Sequence, residues 1–290
     1  MNIAFRVKDL SYHYPSCKED VIKNISFDVM EGEIFGLLGP SGAGKSTTQK
    51  ILTKLLSGYR GEIEYFGKNF STIGLDYYEE IGVGFEMPVH FSKLTGIENV
   101  KFFINLYKNK ANPEELLKAV GLWEDRDKLV SDYSKGMKVR LNFVRAMLNN
   151  PKVLFLDEIT NGLDPVNAKI IKDIIKDFSK KGGTVFITTH LMSDVEELCD
   201  RVLFMVSGKV MEPATPRDLK IKYGEKSVKV EYRDKKELKQ SKFLLDKLGE
   251  NKDFLELIKD KQIETIHSGE TTLAEIFIIV TGVDFHEKSI

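Results

Sequence analysis

The chain has 290 residues, of which 42% are hydrophobic and 30% charged, a composition typical of a globular protein that can bury a core. Lys and Arg number 43 against 44 Asp and Glu, so the formal net charge of -1 disfavours nucleic-acid binding by bulk electrostatics. The two cysteines, Cys17 and Cys199, lack metal-ligand spacing and indicate a reducing compartment. No apolar run approaches the roughly 18 residues of a membrane-spanning helix, so we expect none in this chain.

The first part of the chain predicts strands interrupted by one helix. Strand-type residues occur at 3–14, 21–29, 34–38 and 61–66, and a helix is predicted at 45–56, ended by Gly58. The run 34–38 is continuously apolar, which is typical of a buried strand, and it leads directly into a glycine-rich loop.

The rest of the chain changes character twice. Residues 95–150 show helical periodicity, and beyond them strands (153–156, 184–189) alternate with helices (around 170–178, 191–199) before a hairpin at 202–211. This alternation predicts a mostly parallel sheet covered on both faces, with a helical insertion. Near Pro213 and Pro216 the composition shifts, and the Lys/Glu-rich remainder predicts a small separate α/β appendage.

The glycine-rich loop, residues 39–47 (GPSGAGKST), matches the pattern G-x-x-x-x-G-K-[ST] between a strand and a helix. Glycines let successive backbone N–H groups converge on phosphate oxygens, and the helix N-terminus adds partial positive charge. Lys45 can reach the β- and γ-phosphates, and the Ser46 hydroxyl is placed to bind Mg²⁺. The loop therefore predicts a nucleoside triphosphate site.

A second element of this site is the apolar strand 153–156, which ends in Asp157 and Glu158. A buried strand would deliver Asp157 rigidly beside the loop, where it can hold Mg²⁺ through water. Glu158 faces a different direction and can orient or deprotonate the attacking water.

Further motifs carry a resemblance to a known family over residues 3–213. Residues 133–137 (YSKGM) resemble the signature motif of ATP-binding-cassette (ABC) ATPases, and 161–165 (NGLDP) resemble the D-loop. His190 matches the switch histidine, and Tyr14 the aromatic residue that stacks on adenine, a role for which Tyr12 is the alternative. The chain thus resembles the nucleotide-binding subunit of an ABC transporter.

The resemblance implies an α/β P-loop NTPase fold: an ABC cassette, with a mixed sheet core and a helical insertion, plus a small C-terminal α/β appendage. We expect an ATP-binding domain at 1–213, its helical subdomain at about 87–150, and an accessory domain at 214–290. The expected sites are catalytic Glu158, His190 and Lys45; nucleotide-binding Tyr14, Gly39, Pro40, Ser41, Gly42, Ala43, Gly44, Lys45, Ser46, Thr47, Ser134 and Gly136; and metal-binding Ser46, Asp157 and Glu86.

The family mechanism implies an ATPase that uses ATP and Mg²⁺ and dimerises head to tail around two ATP. The partner would be a second copy or a second ATPase subunit, and closure would drive separate integral-membrane permease subunits. We therefore expect a peripheral protein at the cytoplasmic face of the membrane, and no nucleic-acid partner.

The chain departs from the family pattern at three positions. Glu86 stands where most members have Gln, Lys135 replaces the first glycine of the signature, and Ile159 replaces a Pro. We hypothesise that Glu86 of one subunit and Lys135 of the other compensate in charge across the closed dimer, which additive effects in a double-mutant cycle would contradict.

Two segments indicate the branch of the family. Residues 271–282 resemble the ending of ATPase subunits of ABC-2-type exporters, and 95–99 (TGIEN) resemble the segment at which such subunits dock their permease. We therefore expect an exporter subunit. The alternatives are a non-transport ABC ATPase associated with nucleic acid or ribosomes, a regulatory subunit, and an importer subunit.

Overall fold

The computed structural model describes residues 2–87, 89–234 and 237–282, which form two compact units that meet in sequence between Ala214 and Thr215. The last residues of the predicted accessory domain, 283–290, lie outside the described part. Within the described ranges, no helix has the length and apolar character needed to cross a bilayer.

The first unit contains two sheets and a group of helices. Its strands are β1 (Ile3–Tyr12), β2 (Ile22–Met30), β3 (Ile34–Leu38), β4 (Arg60–Tyr65), β5 (Lys68–Asn69), β6 (Ile81–Gly84), β7 (Val153–Asp157), β8 (Thr184–Thr189), β9 (Arg201–Val206) and β10 (Lys209–Val210). Its helices are α1 (Lys45–Leu52), α2 (Tyr77–Glu80), α3 (Gly96–Ile104), α4 (Pro113–Ala119), α5 (Lys135–Met147), α6 (Pro165–Lys180) and α7 (Met192–Leu198).

The central sheet has the order β10-β9-β3-β8-β7-β6, and all its neighbours are parallel except the β9–β10 hairpin. Every residue of β3 is buried, as its apolar sequence predicts. Leu38 pairs with Thr189, and Asp157 pairs with Thr188. The carboxyl ends of β3, β7 and β8 therefore meet at one edge, which is where ligand sites form in such sheets.

The N-terminal strands form a second sheet of order β2-β1-β4-β5, antiparallel throughout. We predicted strands here without predicting this separate sheet. Aromatic side chains join it to the central sheet: the Phe5 ring lies 5.7 Å from that of Phe155, and the Phe27 ring stacks 5.7 Å from that of Phe35. These contacts fill the core between the sheets with large apolar side chains.

The helical insertion contains α3, α4 and α5, and its helices begin where the sequence supplies caps. Thr95 and Glu98 form a reciprocal capping box at α3, and Asn112 caps α4 ahead of Pro113. Buried amides tie the insertion to neighbouring backbone. The side chain of Asn142 in α5, for example, donates to Phe85 O at 2.8 Å.

The second unit contains α8 (Pro216–Tyr223), β11 (Lys226–Asp234), β12 (Glu237–Leu244), α9 (Lys252–Asp260), β13 (Gln262–Glu270) and α10 (Leu273–Thr281). Its sheet is antiparallel with the order β12-β11-β13. Val230 of β11 and the α10 residues Leu273, Ile276 and Phe277 are fully buried and form a modest core. Thr272 and Glu275 form a capping box that starts α10.

Candidate functional site

The loop between β3 and α1 has the backbone of a phosphate cradle. Gly42 and Gly44 adopt positive φ angles of 79° and 113°, which favour glycine. At Gly39 no side chain fits, because a Cβ there would lie 2.0 Å from Met205 O. Lys45 opens α1, and its Nζ donates to Gly39 O at 2.7 Å and to Pro40 O at 3.0 Å. Its side chain thus spans the loop whose N–H groups form the anion site.

Asp157 lies opposite this loop at the end of β7. Its Oδ2 accepts a hydrogen bond of 3.4 Å from the Ser46 hydroxyl, so the two predicted metal-binding residues are brought together. Its Oδ1 lies 2.5 Å from Thr188 Oγ1, and Thr188 Oγ1 lies 2.8 Å from Gln49 Oε1. Gln49 and Thr188 are buried, so this polar chain fixes the carboxylate from behind.

Glu158 and His190 form the second pair predicted from the sequence. The Glu158 carboxylate lies 2.7 Å from His190 Nδ1 and accepts from the backbone N–H of His190 at 3.0 Å. Its other oxygen accepts from the Thr189 hydroxyl at 3.0 Å. Glu158 is 8% exposed, whereas the His190 side chain is 51% exposed. A buried, hydrogen-bonded carboxylate beside an accessible imidazole is an arrangement suited to proton transfer.

Burial and nearby carboxylates have opposite effects on the pKa of Lys45. Burial lowers the pKa of Lys45, and the negative charges of Glu158, Asp157 and Glu86 oppose that shift. Glu86 is exposed and makes no hydrogen bond to the phosphate loop among the described residues. The pKa of Lys45 therefore reflects a balance between burial and the charges of these three carboxylates.

Tyr14 lies just beyond β1, beside the phosphate loop. Its hydroxyl is 3.4 Å from Thr47 Oγ1, and its ring meets the Tyr12 ring edge to face at 4.9 Å. Tyr12 is 7% exposed, whereas Tyr14 is only half-buried. Tyr14 is therefore the more accessible of the two rings that compete for the adenine role.

The signature residues lie at the N-terminus of α5. The Ser134 hydroxyl caps this helix by accepting from Met137 N at 3.2 Å. Lys135 lies against the D-loop of its own chain, because a Cβ on Gly162 would come within 2.7 Å of Lys135 Cε. In the described part of the chain, no hydrogen bond joins Ser134 or Gly136 to residues 39–47.

Several residues in and behind the site were not predicted. Gln49, Thr160 and Asp194 are polar and buried, and each makes a hydrogen bond to another part of the site. Gln49 is one of the buried residues of α1, and its polar side chain lies close in sequence to Ile51 and Leu52 on that helix. The Thr160–Asp194 contact joins residues 34 positions apart, which no local pattern indicates.

The fold and the site define a P-loop nucleotide hydrolase built as a cassette. Residues 22–161 match the ABC transporter family, and residues 226–270 match the fluoroquinolone efflux ABC transporter C-terminal domain. A fluoroquinolones export ATP-binding protein of Mycobacterium tuberculosis is 49% identical over 281 residues, which are 96% of this chain and 93% of that protein. The chain therefore belongs to the ABC transporter family, as an ATP-binding subunit.

Further relatives agree. A bacitracin transport ATP-binding protein of Bacillus licheniformis is 38% identical over 73% of this chain and 70% of that protein. A solved ATP-binding subunit of an ABC transporter is 28% identical with a TM-score of 0.69, covering 76% of this chain and 93% of that one. A solved dimeric cassette in a post-hydrolysis state, bound to ADP and Pi, is 25% identical with a TM-score of 0.66, covering 73% of this chain and 98% of that one.

These comparisons confirm the predicted family, fold class and activity. The chain is an ATP-binding, ATP-hydrolysing subunit of the exporter branch. The non-transport and importer alternatives are set aside.

Proposed function

We propose that two copies of this chain bind two ATP molecules between them, with the phosphate loop of each facing Ser134–Gly136 of the other. The observation that carries the proposal is the pairing of buried Glu158 with His190 at the same sheet edge as the phosphate loop. Among the described residues, Ser134 and Gly136 make no hydrogen bond to residues 39–47, which is consistent with their facing a partner copy. An isologous dimer then creates two equivalent sites.

Glu158 accepts the proton of the attacking water, and His190 holds that carboxylate while its exposed ring faces the nucleotide. Lys45 and the loop N–H groups neutralise the β- and γ-phosphates. Tyr14 stacks on the adenine.

Ser46 and Asp157 would hold Mg²⁺, with Glu86 as the third predicted oxygen donor. No cluster of three or more His, Cys, Asp or Glu side chains with metal-binding geometry exists among the described residues. A hydroxyl and one carboxylate 3.4 Å apart nevertheless fit Mg²⁺, which retains waters and binds substrate phosphates. When bound, the ion neutralises phosphate charge.

We assign residues 1–213 to the ATP-binding domain, with a helical subdomain at about 87–150, and 214–290 to the accessory domain. The division of the described residues between Ala214 and Thr215 supports this boundary.

The protein lies at the cytoplasmic face of the membrane, where it binds a permease. The permease docks at an apolar groove of about 290 Å³ beside the helical insertion. Val83, Phe85, Phe103 and Leu106 line it with other, mainly apolar side chains. Leu106, which lines the groove, is 65% exposed. Contiguous apolar surface of this kind marks interaction sites, and a short helix of the permease fits such a groove.

Crosslinking in the native membrane tests this docking. A photoreactive amino acid at Leu106 should give an adduct with an integral-membrane protein, identified by mass spectrometry. Val166, which is 70% exposed at the start of α6 and outside the groove, is the matched control site. Adducts of Leu106 with only soluble proteins, or an equal membrane adduct at Val166, would contradict the docking site.

The exported compounds are of the fluoroquinolone class. Support comes from the relative that is 49% identical along 96% of this chain and from the match of residues 226–270. Deleting the gene in its host should raise fluoroquinolone sensitivity, and restoring the wild-type chain, but not Glu158→Gln, should reverse it. Unchanged sensitivity in the deletion strain would reject this cargo and leave the ATPase assignment intact.

A further inference from the structure

A buried ion-pair cluster lies behind the catalytic pair, where three elements of the first unit meet. Thr160 follows β7, Lys172 lies in α6, and Asp194 lies in α7. Thr160 Oγ1 donates a hydrogen bond to Asp194 Oδ2, and Lys172 Nζ lies 2.6 Å from Asp194 Oδ1. Glu197 extends the cluster by accepting from Lys172 at 2.8 Å and from Lys176 at 3.0 Å.

The cluster surrounds Asp194 with hydrogen-bond and ion-pair partners. Thr160 and Asp194 are each 8% exposed, and the Lys172 side chain is 12% exposed. Burial disfavours the charged form of Lys172, but Asp194 and Glu197 outweigh burial and raise the pKa of Lys172. A carboxylate out of water is costly unless it is paired and hydrogen-bonded, so both oxygens of Asp194 need their partners. The bonds therefore specify one arrangement of the three elements.

This arrangement bears directly on the hydrolytic groups. Thr160 is the second residue after Glu158, and Asp194 is the fourth after His190. Glu158 and His190 are themselves in contact at 2.7 Å, so the two segments are joined at two points. Glu158 adopts a φ of 50°, a left-handed conformation that a glutamate keeps only when its surroundings hold it there.

We propose that Thr160 and Asp194 are positioning residues for ATP hydrolysis: their hydrogen bond fixes the segment of Glu158 against that of His190, and Lys172 is the counterion that keeps Asp194 in place. The inference rests on the catalytic roles proposed for Glu158 and His190. A general base must lie within hydrogen-bond reach of the water that it activates, and displacement of about 1 Å can cost orders of magnitude in rate.

The test is a set of Thr160 variants of the full chain, assayed for ATP hydrolysis and for ATP binding. Thr160→Val keeps the side-chain shape but removes the donor. It should lower kcat on the order of 10-fold while KM and ATP affinity stay within about twofold. Thr160→Ser, which restores the donor, should recover most of kcat. Thr184→Val is the matched control, because Thr184 is fully buried at the opposite end of β8 and accepts from Gly32 N.

A double-mutant comparison separates this inference from the proposed function. On a Glu158→Gln background, Thr160→Val should cause little further loss, because it acts through Glu158. If Glu158→Gln keeps normal turnover, the proposed function fails. If Glu158→Gln is impaired but Thr160→Val is not, only the positioning role fails.

Two other outcomes would also overturn the positioning role: a Thr160→Ser variant as slow as Thr160→Val, and a Thr184→Val variant with an equal kcat loss. Should Thr160→Val not fold, Thr160→Ser and Thr160→Ala are compared at a temperature at which both are folded. Equal kcat values for that pair contradict the proposal.

Discussion

Asp157 owes its orientation to residues outside every nucleotide-binding motif. Thr188 contacts it from the neighbouring strand, and Gln49 contacts Thr188 from α1. The Thr188 hydroxyl has one proton to donate, and Asp157 Oδ1 at 2.5 Å is a closer acceptor than Gln49 Oε1 at 2.8 Å. The chain Gln49–Thr188–Asp157 thus links the helix after the phosphate loop to the proposed metal ligand.

Replacing Gln49 with Leu should weaken the binding of Mg²⁺ and leave nucleotide binding itself unchanged. The side chain is 4% exposed, and Leu keeps its approximate volume while removing the polar link. Loss of a group that orients a metal ligand costs about 10-fold or more in metal affinity, so we expect the Mg²⁺ concentration for half-maximal turnover to rise roughly 3- to 10-fold. ATP binding in EDTA serves as the control. An unchanged Mg²⁺ titration would show that Gln49 plays no part in orienting Asp157.

At this scale the sequence predicted the residues that belong to contiguous motifs. Lys45, Ser46 and Glu158 could be predicted because each belongs to a short contiguous motif at a loop or at the end of a strand. Thr160, Asp194 and Gln49 could not be predicted, because their roles depend on hydrogen bonds between distant parts of the sequence. Thr160 and Asp194 are 34 positions apart, and Gln49 and Thr188 are 139 positions apart. Such contacts exist only once the sheet order is fixed.

Among the elements, the segment between β6 and α3 is joined to α5 by hydrogen bonds of a half-buried histidine, His90. His90 Nε2 lies 3.0 Å from Lys138 O, and its Nδ1 lies 3.4 Å from a guanidinium nitrogen of Arg145. This geometry requires the neutral ring, with Nε2 protonated. Burial, together with the charges of Arg145 and Lys138, lowers the pKa of His90 to about 4, against the weaker opposing effect of its hydrogen bond to Lys138 O.

Acid should therefore loosen this segment. In the unfolded chain His90 has a pKa of about 6.5, so as pH falls it is protonated there before it is protonated in the folded chain. The contribution of His90 to the free energy of unfolding is therefore complete above pH 6.5 and is lost as the pH falls toward about 4. Because the ring is partly exposed, we expect the loss to be at most about 2 kcal/mol. Urea unfolding of wild type and His90→Gln at pH 7 and pH 4.5 measures it, since the variant should lose less stability. A difference between the two proteins that does not change with pH would rule this out.

The elements predicted best were those with a clear apolar pattern. The apolar periodicity of α6 and the continuous apolar runs of β3 and β7 identify them. β6 was not predicted as a strand, because it has four residues and two of them are glycines. Gly82 is required there, since a Cβ would lie 1.8 Å from Ala146 O, so close packing against α5 replaces strand propensity.

For the whole molecule, the cassette and the accessory unit each have their own core. The first unit buries side chains of two sheets, and the second buries Val230 with residues of α10. The composition change near Pro213 predicted a boundary, but the order of β11, β12 and β13 depends on pairing between segments and was not predicted.

A chain that ends at Ala214 should fold and hydrolyse ATP at a rate within about threefold of the full chain, because a unit with its own core can fold alone. Turnover of the shortened chain, with its Lys45→Met variant as the inactive control, measures this. A shortened protein that folds by circular dichroism yet shows no turnover would place part of the hydrolytic machinery in the accessory unit.

The central claim is that ATP joins two copies of the chain and that Glu158 then hydrolyses it. The most direct measurement is the mass of Glu158→Gln in solution with saturating ATP and Mg²⁺, together with its turnover. We predict a species of twice 33.0 kDa that forms only with ATP, and turnover lowered roughly 10²-fold. Lys45→Met should stay at 33.0 kDa. A Glu158→Gln protein that remains monomeric with ATP bound and turns over at the wild-type rate would contradict the account.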